Sequence, residues 1–338
     1  MSGPFPTNYG YFVSDLNTAF GSVYLTDPLE DHFGEIISDV PVNTEQLVII
    51  WQNLMPKARV WYGPRVGNSP SLQTATYVPL PYEITYTIDQ FISQDDIHGV
   101  YTRMLPDLVR QTRRWQAYET RDLLENAGAY TGPKQLGLDG LSYFNTAHPI
   151  DFYNSALGTY CNDFSGGGQN ISYTKANGGS VSVLTGGAFG VTSFKTLVEY
   201  MMSIKGEDGE RIGVRPRTLM HPIQLKGEVE VVLKNAYFSP PAWGNLTAQV
   251  GAAENAWKRY EVTPYCNEFL NDPQMWYLAD ATKSYRPLGF GLREAWSVTP
   301  RVAPTDPNVW DMHQLMWGGR ARGMPFWGYS FLMARSGP

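Results

Sequence analysis

The chain has 338 residues, 43% hydrophobic and 17% charged, with a formal net charge of -6 and a sequence pI of about 5.4. This composition suits a folded, soluble protein with one large core or two modest ones, and the acidic balance argues against a dedicated nucleic-acid binder. Its two cysteines, Cys161 and Cys266, stand far apart with no further Cys or His at ligand spacing, which excludes a disulfide framework and a zinc site and fits a reducing cytoplasm.

The N-terminal stretch Met1 to Tyr11 carries Pro4 and Pro6 and neither a basic block nor a long apolar run, so a signal peptide or membrane anchor is not expected. Residues 1–45 mix Gly, Pro, Asn and Asp with scattered aromatics and no sustained period, the pattern of an arm laid over another surface. The apolar run Leu47 to Trp51 has strand length and is far too short to span a bilayer.

Strand chemistry begins with Arg59, Val60, Trp61 and Tyr62, is interrupted by Gly63, Gly67 and Asn68, and resumes at Thr76, Tyr77 and Val78, so a long hairpin is predicted over Lys57 to Asp89. Its return is strictly alternating: Tyr82, Ile84, Tyr86 and Ile88 point to one face, and Glu83, Thr85, Thr87 and Asp89 to the other. Ser93 with Asp96 resembles a capping box, and a helix is predicted from Pro106 to Ala127, about 33 Å long. Leu105, Leu108, Val109, Trp115, Leu123 and Leu124 form its apolar stripe; Arg110, Arg113, Arg114, Glu119, Asp122 and Glu125 face away from it.

Between about 150 and 190 the sequence is rich in Gly, Asn and small polar residues, which predicts an exposed loop or flap that builds no core. Alternating helix and strand follow: a helix over Thr192 to Lys205, a strand over Arg217 to Met220, and a helix over Pro222 to Asn235. The C-terminal third returns to strands at Trp276 to Leu278, Leu288 to Leu292, Trp296 to Thr299 and His313 to Trp317, separated by Pro and Gly turns.

Residues that might carry chemistry read better as structure. Asp95 and Asp96 are adjacent and therefore point about 100° apart on a helix, the acidity of a helix start and not a facing pair. His148 and His221 each precede a proline with no Ser, Cys or Asp at triad spacing, and His32, His98 and His313 are isolated. Gly166 to Gly168 lack the lysine a phosphate loop needs. The crowded Trp296, Trp310, Trp317 and Trp327 suit a core or subunit interface better than a sugar platform. Cys161 reads as an inert loop thiol and Cys266 as a small apolar filler. Catalytic, cofactor and metal residues are therefore all assigned as none.

The order arm, hairpin, long helix, α/β unit and returning strands resembles the tailed-phage major capsid fold, also called the Johnson fold. Local stretches resemble the Mu-like major head subunit family: Asp95-Asp96-Ile97-His98-Gly99-Val100-Tyr101, Leu138-Asp139-Gly140-Leu141-Ser142-Tyr143-Phe144 before His148-Pro149, Asp208-Gly209-Glu210 through Arg215-Pro216-Arg217-Thr218-Leu219, Trp276-Tyr277-Leu278-Ala279-Asp280, and Trp317-Gly318-Gly319-Arg320-Ala321-Arg322. The resemblance spans roughly residues 56–327, and its weight lies in the collective order of short motifs.

The resemblance implies an α+β shell subunit with an N-terminal arm (1–45) and an extended hairpin loop (57–89). A peripheral domain would take 46–56 with 90–190 and 291–338, including a spine helix over 106–127, and an axial domain would take 191–290. The implied function is self-assembly, as pentamers and hexamers, into an icosahedral bacteriophage head enclosing double-stranded DNA, without catalysis or cofactor. Implied partners are further copies of the chain, scaffold, portal and decoration proteins, and packaged DNA held without sequence-specific contacts; no membrane is involved. Mild acidity suits such a container, because a basic inner wall would hold phosphates through counterion release. Arg59, Trp61, Tyr62 and Arg65 on the hairpin and Arg110, Arg113 and Arg114 on the helix are the candidate intersubunit contacts, since Arg and aromatic side chains dominate interface energetics. Two alternatives stay open: an encapsulin-like compartment of the same architecture, and a carbohydrate-binding or hydrolytic β-rich protein using the tryptophan cluster.

Overall fold

A computed structural model describes residues 33–52, 60–61, 63–64, 72–91, 114–125, 136–151, 155–166, 170–174, 180–184, 188–235, 237–238, 253–255 and 260–338. The Ser93–Asp96 capping box, His32, His98 and the first part of the 106–127 helix lie outside these residues.

In chain order the main elements are β1 (Ile37–Pro41), β2 (Leu47–Gln52), β3 (Leu72–Tyr77), β4 (Leu80–Asp89), helix α1 (114–125), β5 (His148–Pro149), β6 (Thr159–Tyr160), β7 (Asp163–Phe164), β8 (Asn170–Thr174) and β9 (Ser180–Leu184). There follow α2 (Val191–Ser203), β10 (Thr218–His221), α3 (Lys226–Lys234), β11 (Tyr237–Phe238), β12 (Ala253–Glu254), β13 (Thr263–Cys266), β14 (Trp276–Ala279), β15 (Leu288–Arg301), α4 (Pro307–Met312), β16 (Gln314–Trp327) and β17 (Met333–Ser336).

Two sheets organise the chain. The first has the order β1-β15-β16-β4, and the second β13-β10-β14-β17-β7. In the first, β4 and β16 pair antiparallel with Ala321 opposite Tyr82 and Leu315 opposite Ile88, so the alternation read from the sequence becomes one half-buried and one wet face. The separate strands expected near Trp296 and His313 merge into two 14-residue strands. Where a break was expected in the first of them, two β-bulges between Leu292 and Ser297 add residues without ending the pairing. They bring the Trp296 ring over Gly319, where an added Cβ would lie 3.3 Å from it. The glycine leaves the room that the indole occupies.

Helix α1 covers one face of this sheet. Trp115 packs against Tyr82, Phe290 and Trp296, with centroid separations of 4.5, 5.2 and 5.8 Å, and the Tyr82 hydroxyl donates to Glu119 Oε2 at 2.7 Å. Buried Leu123 and Leu124 bear out the apolar stripe. The opposite face, presenting Met324 and Phe326, is covered by Tyr77, Leu47, Ile49 and Ala75 of β2 and β3.

The hairpin therefore differs from its expected bounds. The antiparallel ribbon is β2 with β3, Leu47 opposite Tyr77 and Gln52 opposite Leu72, while β4 belongs wholly to the sheet. Burial decides this, because the Tyr82-to-Ile88 face has α1 and β16 to pack on, and a free ribbon would leave it in water. The arm is likewise shorter than residues 1–45 at its C-terminal side. Phe33 and Ile36 are fully buried, and β1 pairs parallel with Leu288 to Leu292.

The second sheet is sandwiched. Strands β10 and β14 are buried along their whole length. Leu219, Trp276 and Leu278 pack against Phe194, Leu197, Val198 and Met201 of α2 and Val229 and Val232 of α3. Their alternate residues Met220, Tyr277 and Ala279 join Leu123, Tyr143 and Trp327 in the core shared with α1 and the first sheet. The buried Phe194, Leu197, Val198 and Met201 stand at i, i+3, i+4 and i+7 of α2, the stripe that meets the sheet. The unit expected to comprise residues 191–290 also takes in β17 and β7, and β15 leaves it for the first sheet. The Gly-rich region departs from expectation as well, since β8 and β9 form an antiparallel hairpin and Tyr160, Asn162 and Phe164 are core residues.

Candidate assembly surfaces

Strand β2 reads Leu-Val-Ile-Ile, apolar at consecutive positions, so a strand with period two must turn apolar side chains both ways. Leu47 and Ile49 face the sheet, and Val48 and Ile50 are 50% and 55% exposed on the outward face. Between β2 and β3 in the sequence, Val60 and Trp61 are 74% and 66% exposed, with the Trp61 Nε1–H donating to Gly63 O at 2.7 Å. Exposed apolar groups on β2 and at Val60 and Trp61 mark a candidate contact surface.

Of the sequence-derived contact candidates, Trp61 is thus at the surface, while Arg59, Tyr62, Arg65, Arg110 and Arg113 lie outside the described residues. Arg114 is half-buried, its guanidinium 5.8 Å from the Phe269 ring centroid of its own chain. Sequence reasoning missed a second apolar surface at the end of the first sheet, where Phe91, Trp310 and Met312 are exposed. The signal was available: Trp310 and Met312 sit in a short proline-started helix with Val309 as its one buried residue.

The four clustered tryptophans separate. Trp317 and Trp327 are fully buried, Trp296 packs on Trp115, and Trp310 stands alone in solvent, so they form no shared platform.

The histidine before Pro149 is a structural knot. His148 is fully buried; its Nδ1 pairs with Asp139, and its Nε2 lies 2.9 Å from Tyr143 O and 3.0 Å from Asn162 Oδ1. Asn162 Oδ1 also accepts the Asn145 N–H at 2.8 Å, and its Nδ2 donates to Tyr143 O at 2.7 Å and Ser330 O at 3.0 Å. Nearby, Arg335 grips Asp163 through two hydrogen bonds of 2.8 and 2.7 Å and lies 4.7 Å from the Phe144 ring centroid. Burial pushes the Asp163 carboxyl up, but the hydrogen bonds from Arg335 and Ser165 and the guanidinium charge outweigh it and hold it below its ordinary value. These contacts tie the Leu138-to-Phe144 motif and the His-Pro motif to the C-terminal strand. Among the described residues no nucleophile stands on His148; Tyr160 is instead hydrogen-bonded to Ser330 at 2.6 Å, and burial drives its hydroxyl far above the usual range.

His221 is elsewhere, with Nδ1 2.8 Å from Pro222 O, and burial lowers its affinity for a proton. Burial pushes the Cys161 thiol up to about 11, in keeping with an inert group, whereas Cys266 is exposed at the end of β13 and fills no apolar gap as expected. Among the described residues no group of three His, Cys, Asp or Glu side chains is placed to hold a metal, and no helix is long and apolar enough to cross a membrane.

The family model of the Mu-like prophage major head subunit gpT matches residues 12–174 and 253–336. No curated protein sequence matches the chain. Three similar solved structures cover most of it. The capsid of bacteriophage JBD30 decorated with minor capsid protein trimers is 18% identical over 73% of this chain and 92% of that one, with a TM-score of 0.52. A Microbacterium phage Oxtober96 chain is 9% identical over 93% of each chain, with a TM-score of 0.52. The capsid of an empty GTA particle is 11% identical over 95% of this chain and 98% of that one, with a TM-score of 0.51.

Proposed function

This chain belongs to the Mu-like prophage major head subunit family and has the α+β fold of tailed-phage capsids, so it is a major capsid protein of the virion shell, and from that premise we propose how its copies are joined. The β2–β3 ribbon is the clasp. The observation that carries this reading is the two-sidedness of β2, where Leu47 and Ile49 are covered by the chain's own sheet while Val48 and Ile50 stay bare, with Val60 and Trp61 beyond them. About 25 cal/mol is gained per Å² of apolar area covered, so a neighbour seated there turns an exposed liability into adhesion.

Arg59, Tyr62 and Arg65 flank the exposed Val60 and Trp61 in sequence and supply the polar part of the grip; Arg110, Arg113 and Arg114 supply a second contact from the helix. The first sheet with α1 forms the peripheral domain, the second sheet with α2 and α3 the axial domain, and the N-terminal arm lies over neighbouring copies. Each contact is weak alone, and closure of the shell holds every copy by several at once. The chain acts by adhesion and breaks no bond.

Scaffold and portal proteins assist assembly in the host cytoplasm. A decoration protein joins the finished shell, in line with the minor capsid trimers on the JBD30 capsid. DNA is enclosed without sequence-specific contacts, consistent with the chain's net charge of -6.

The test is expression of the chain alone and with its neighbouring genes, with electron microscopy of the products. Closed particles or capsomer rings are expected, and Val48→Ser with Ile50→Ser should reduce them without unfolding the subunit. A monomer under every condition, or undiminished particles from the double variant, overturns the clasp.

A further inference from the structure

The hairpin of β8 and β9 belongs to neither large sheet; it is a two-stranded sheet of its own. Its root is fixed in the core of the second sheet. Phe164 and Phe189, on either side of it in the chain, are 0% and 5% exposed, Arg335 grips Asp163 at its start, and Gly166 takes a left-handed φ of 94 where the chain leaves β7. Two strands alone are marginal in water, and pairing with further strands is what makes such a ribbon durable.

Register and sequence together show how this ribbon differs from the other strands. Ile171 lies opposite Val183 and Tyr173 opposite Val181, which places these four apolar residues on one face, with Ser172 opposite Ser182 on the other. Neither strand holds a charged residue or a proline, and Lys175, next to β8, is the single charge between Asp163 and Lys195. A strand edge presents a row of N–H and C=O groups, and charges, prolines or very short strands normally keep other chains from pairing with it. The outer strands of the two large sheets follow that rule: Asp39 and Pro41 stand on β1, Pro81, Glu83 and Asp89 on β4 and Pro264 on β13, and β7 has only two residues. The β2–β3 ribbon lacks such guards as well, but Leu47, Ile49 and Ala75 seat it on the first sheet.

We infer that the free edge of β9 is an interaction site whose occupant is β9 of a second copy, the two hairpins joining antiparallel across a two-fold axis into one four-stranded sheet. Strand β9 reads Ser-Val-Ser-Val-Leu, nearly the same in both directions, so a two-fold centred on Ser182 sets Ser182 opposite itself and Val181 opposite Val183. The apolar face of one ribbon then continues into that of the other, and the edge N–H and C=O groups gain partners. The β8 edge is less suited, because Lys175 follows it directly. The contact is isologous and independent of the β2–β3 clasp. Strand β9 falls between the two stretches that match the family, in a segment of this chain's own.

Two measurements on the full-length chain, under whichever conditions give particles with the unaltered sequence, test the pairing. In the first, Ser182→Cys is combined with Cys266→Ser and the assembled particles are oxidised mildly. A disulfide-linked dimer is expected on a denaturing gel, because position 182 meets its own counterpart at strand-pair distance. Ser172→Cys in the same background, on the far strand of the hairpin, should give none.

In the second, Ser182→Lys and Ser182→Glu each set like charges against one another and should cut particle yield at low salt by about fivefold or more, whereas co-expression of the two variants should restore it. Thermal melting of the unassembled subunits checks that these variants fold. Particles without the Ser182→Cys dimer, a dimer from Ser172→Cys in its place, or charge variants that assemble normally or fail to rescue each other overturn the pairing while leaving the clasp intact. Absence of any particle from the unaltered chain overturns both.

Discussion

Asn162→Ala should be among the most damaging single changes in the subunit, although no contact surface includes this residue. Asn162 is 1% exposed and joins three chain segments through its side chain: the Asn145 N–H and His148 Nε2 at its oxygen, and the carbonyls of Tyr143 and Ser330 at its nitrogen. Truncation removes the acceptor of the part-buried Asn145 N–H and the donor to the buried Ser330 carbonyl. Leaving a buried group unsatisfied costs about 1–3 kcal/mol, so two such groups at about 2 kcal/mol each give a loss of about 4 kcal/mol. With a urea slope of about 3 kcal/mol/M the unfolding midpoint of the unassembled subunit should fall by about 1.3 M. The assay is equilibrium urea unfolding followed by tryptophan fluorescence, because Trp327 stacks on Tyr143 at 3.9 Å and reports on this region. Asn271→Ala, on an exposed loop, is the comparison. A drop of less than about 0.3 M for Asn162→Ala would refute the claim that this side chain knits the loop to the C-terminal strand.

Asp163→Asn breaks a bidentate pair whose two side chains are each 16% exposed, leaving the Arg335 charge half-buried without its counterion, and should destabilise the subunit by about 2–3 kcal/mol in the same assay. Because the folded carboxyl of Asp163 is held below its ordinary value, its contribution is present above about pH 4 and fades as pH falls through the folded value; the variant should show a flatter acid limb, and an unchanged one counts against the pair. Gly289→Val would place a Cβ 2.1 Å from the Phe326 ring, which is itself wedged against Tyr77, so overpacking should cost about 2–3 kcal/mol, whereas Gly227→Ala, with open space around it, should be tolerated. Burial, with Asp151 and Asp208 nearby, pushes Glu207 up to about 7, so the folded state keeps a proton that the unfolded chain releases. Stability from this group is greatest below about pH 4.5 and is lost as pH rises through about 7; Glu207→Gln should therefore narrow the gap between stability at pH 5 and pH 8, and an identical pH profile would contradict the shift.

Much of the fold was legible because local chemistry and burial agree. The alternation from Tyr82 to Ile88 and the i, i+3, i+4, i+7 spacing in α2 each have one answer, and each meets its partner in the core. The hairpin misled for a physical reason: strand signals on both sides of Gly63, Gly67 and Asn68 announce a turn, but the partner of β4 is β16, more than two hundred residues away, and no local pattern announces it. Likewise Gly318 and Gly319 look like a turn, yet they sit mid-strand because large side chains from neighbouring strands fill the space above Gly319.

The candidate surfaces divide in the same way. Arg and aromatic residues near the ribbon could be named from type alone, whereas Trp310 and Trp317 have the same side chain, seven positions apart, and opposite fates. By itself the sequence determined the class of protein, through its resemblance to a known family, and the helix that includes residues 114–125 and the α/β unit, through spacing along the chain. Only the tertiary structure decided which strands are neighbours, that Tyr160, Asn162 and Phe164 belong to the core, and which apolar side chains remain uncovered, because burial is settled by elements that meet across long loops.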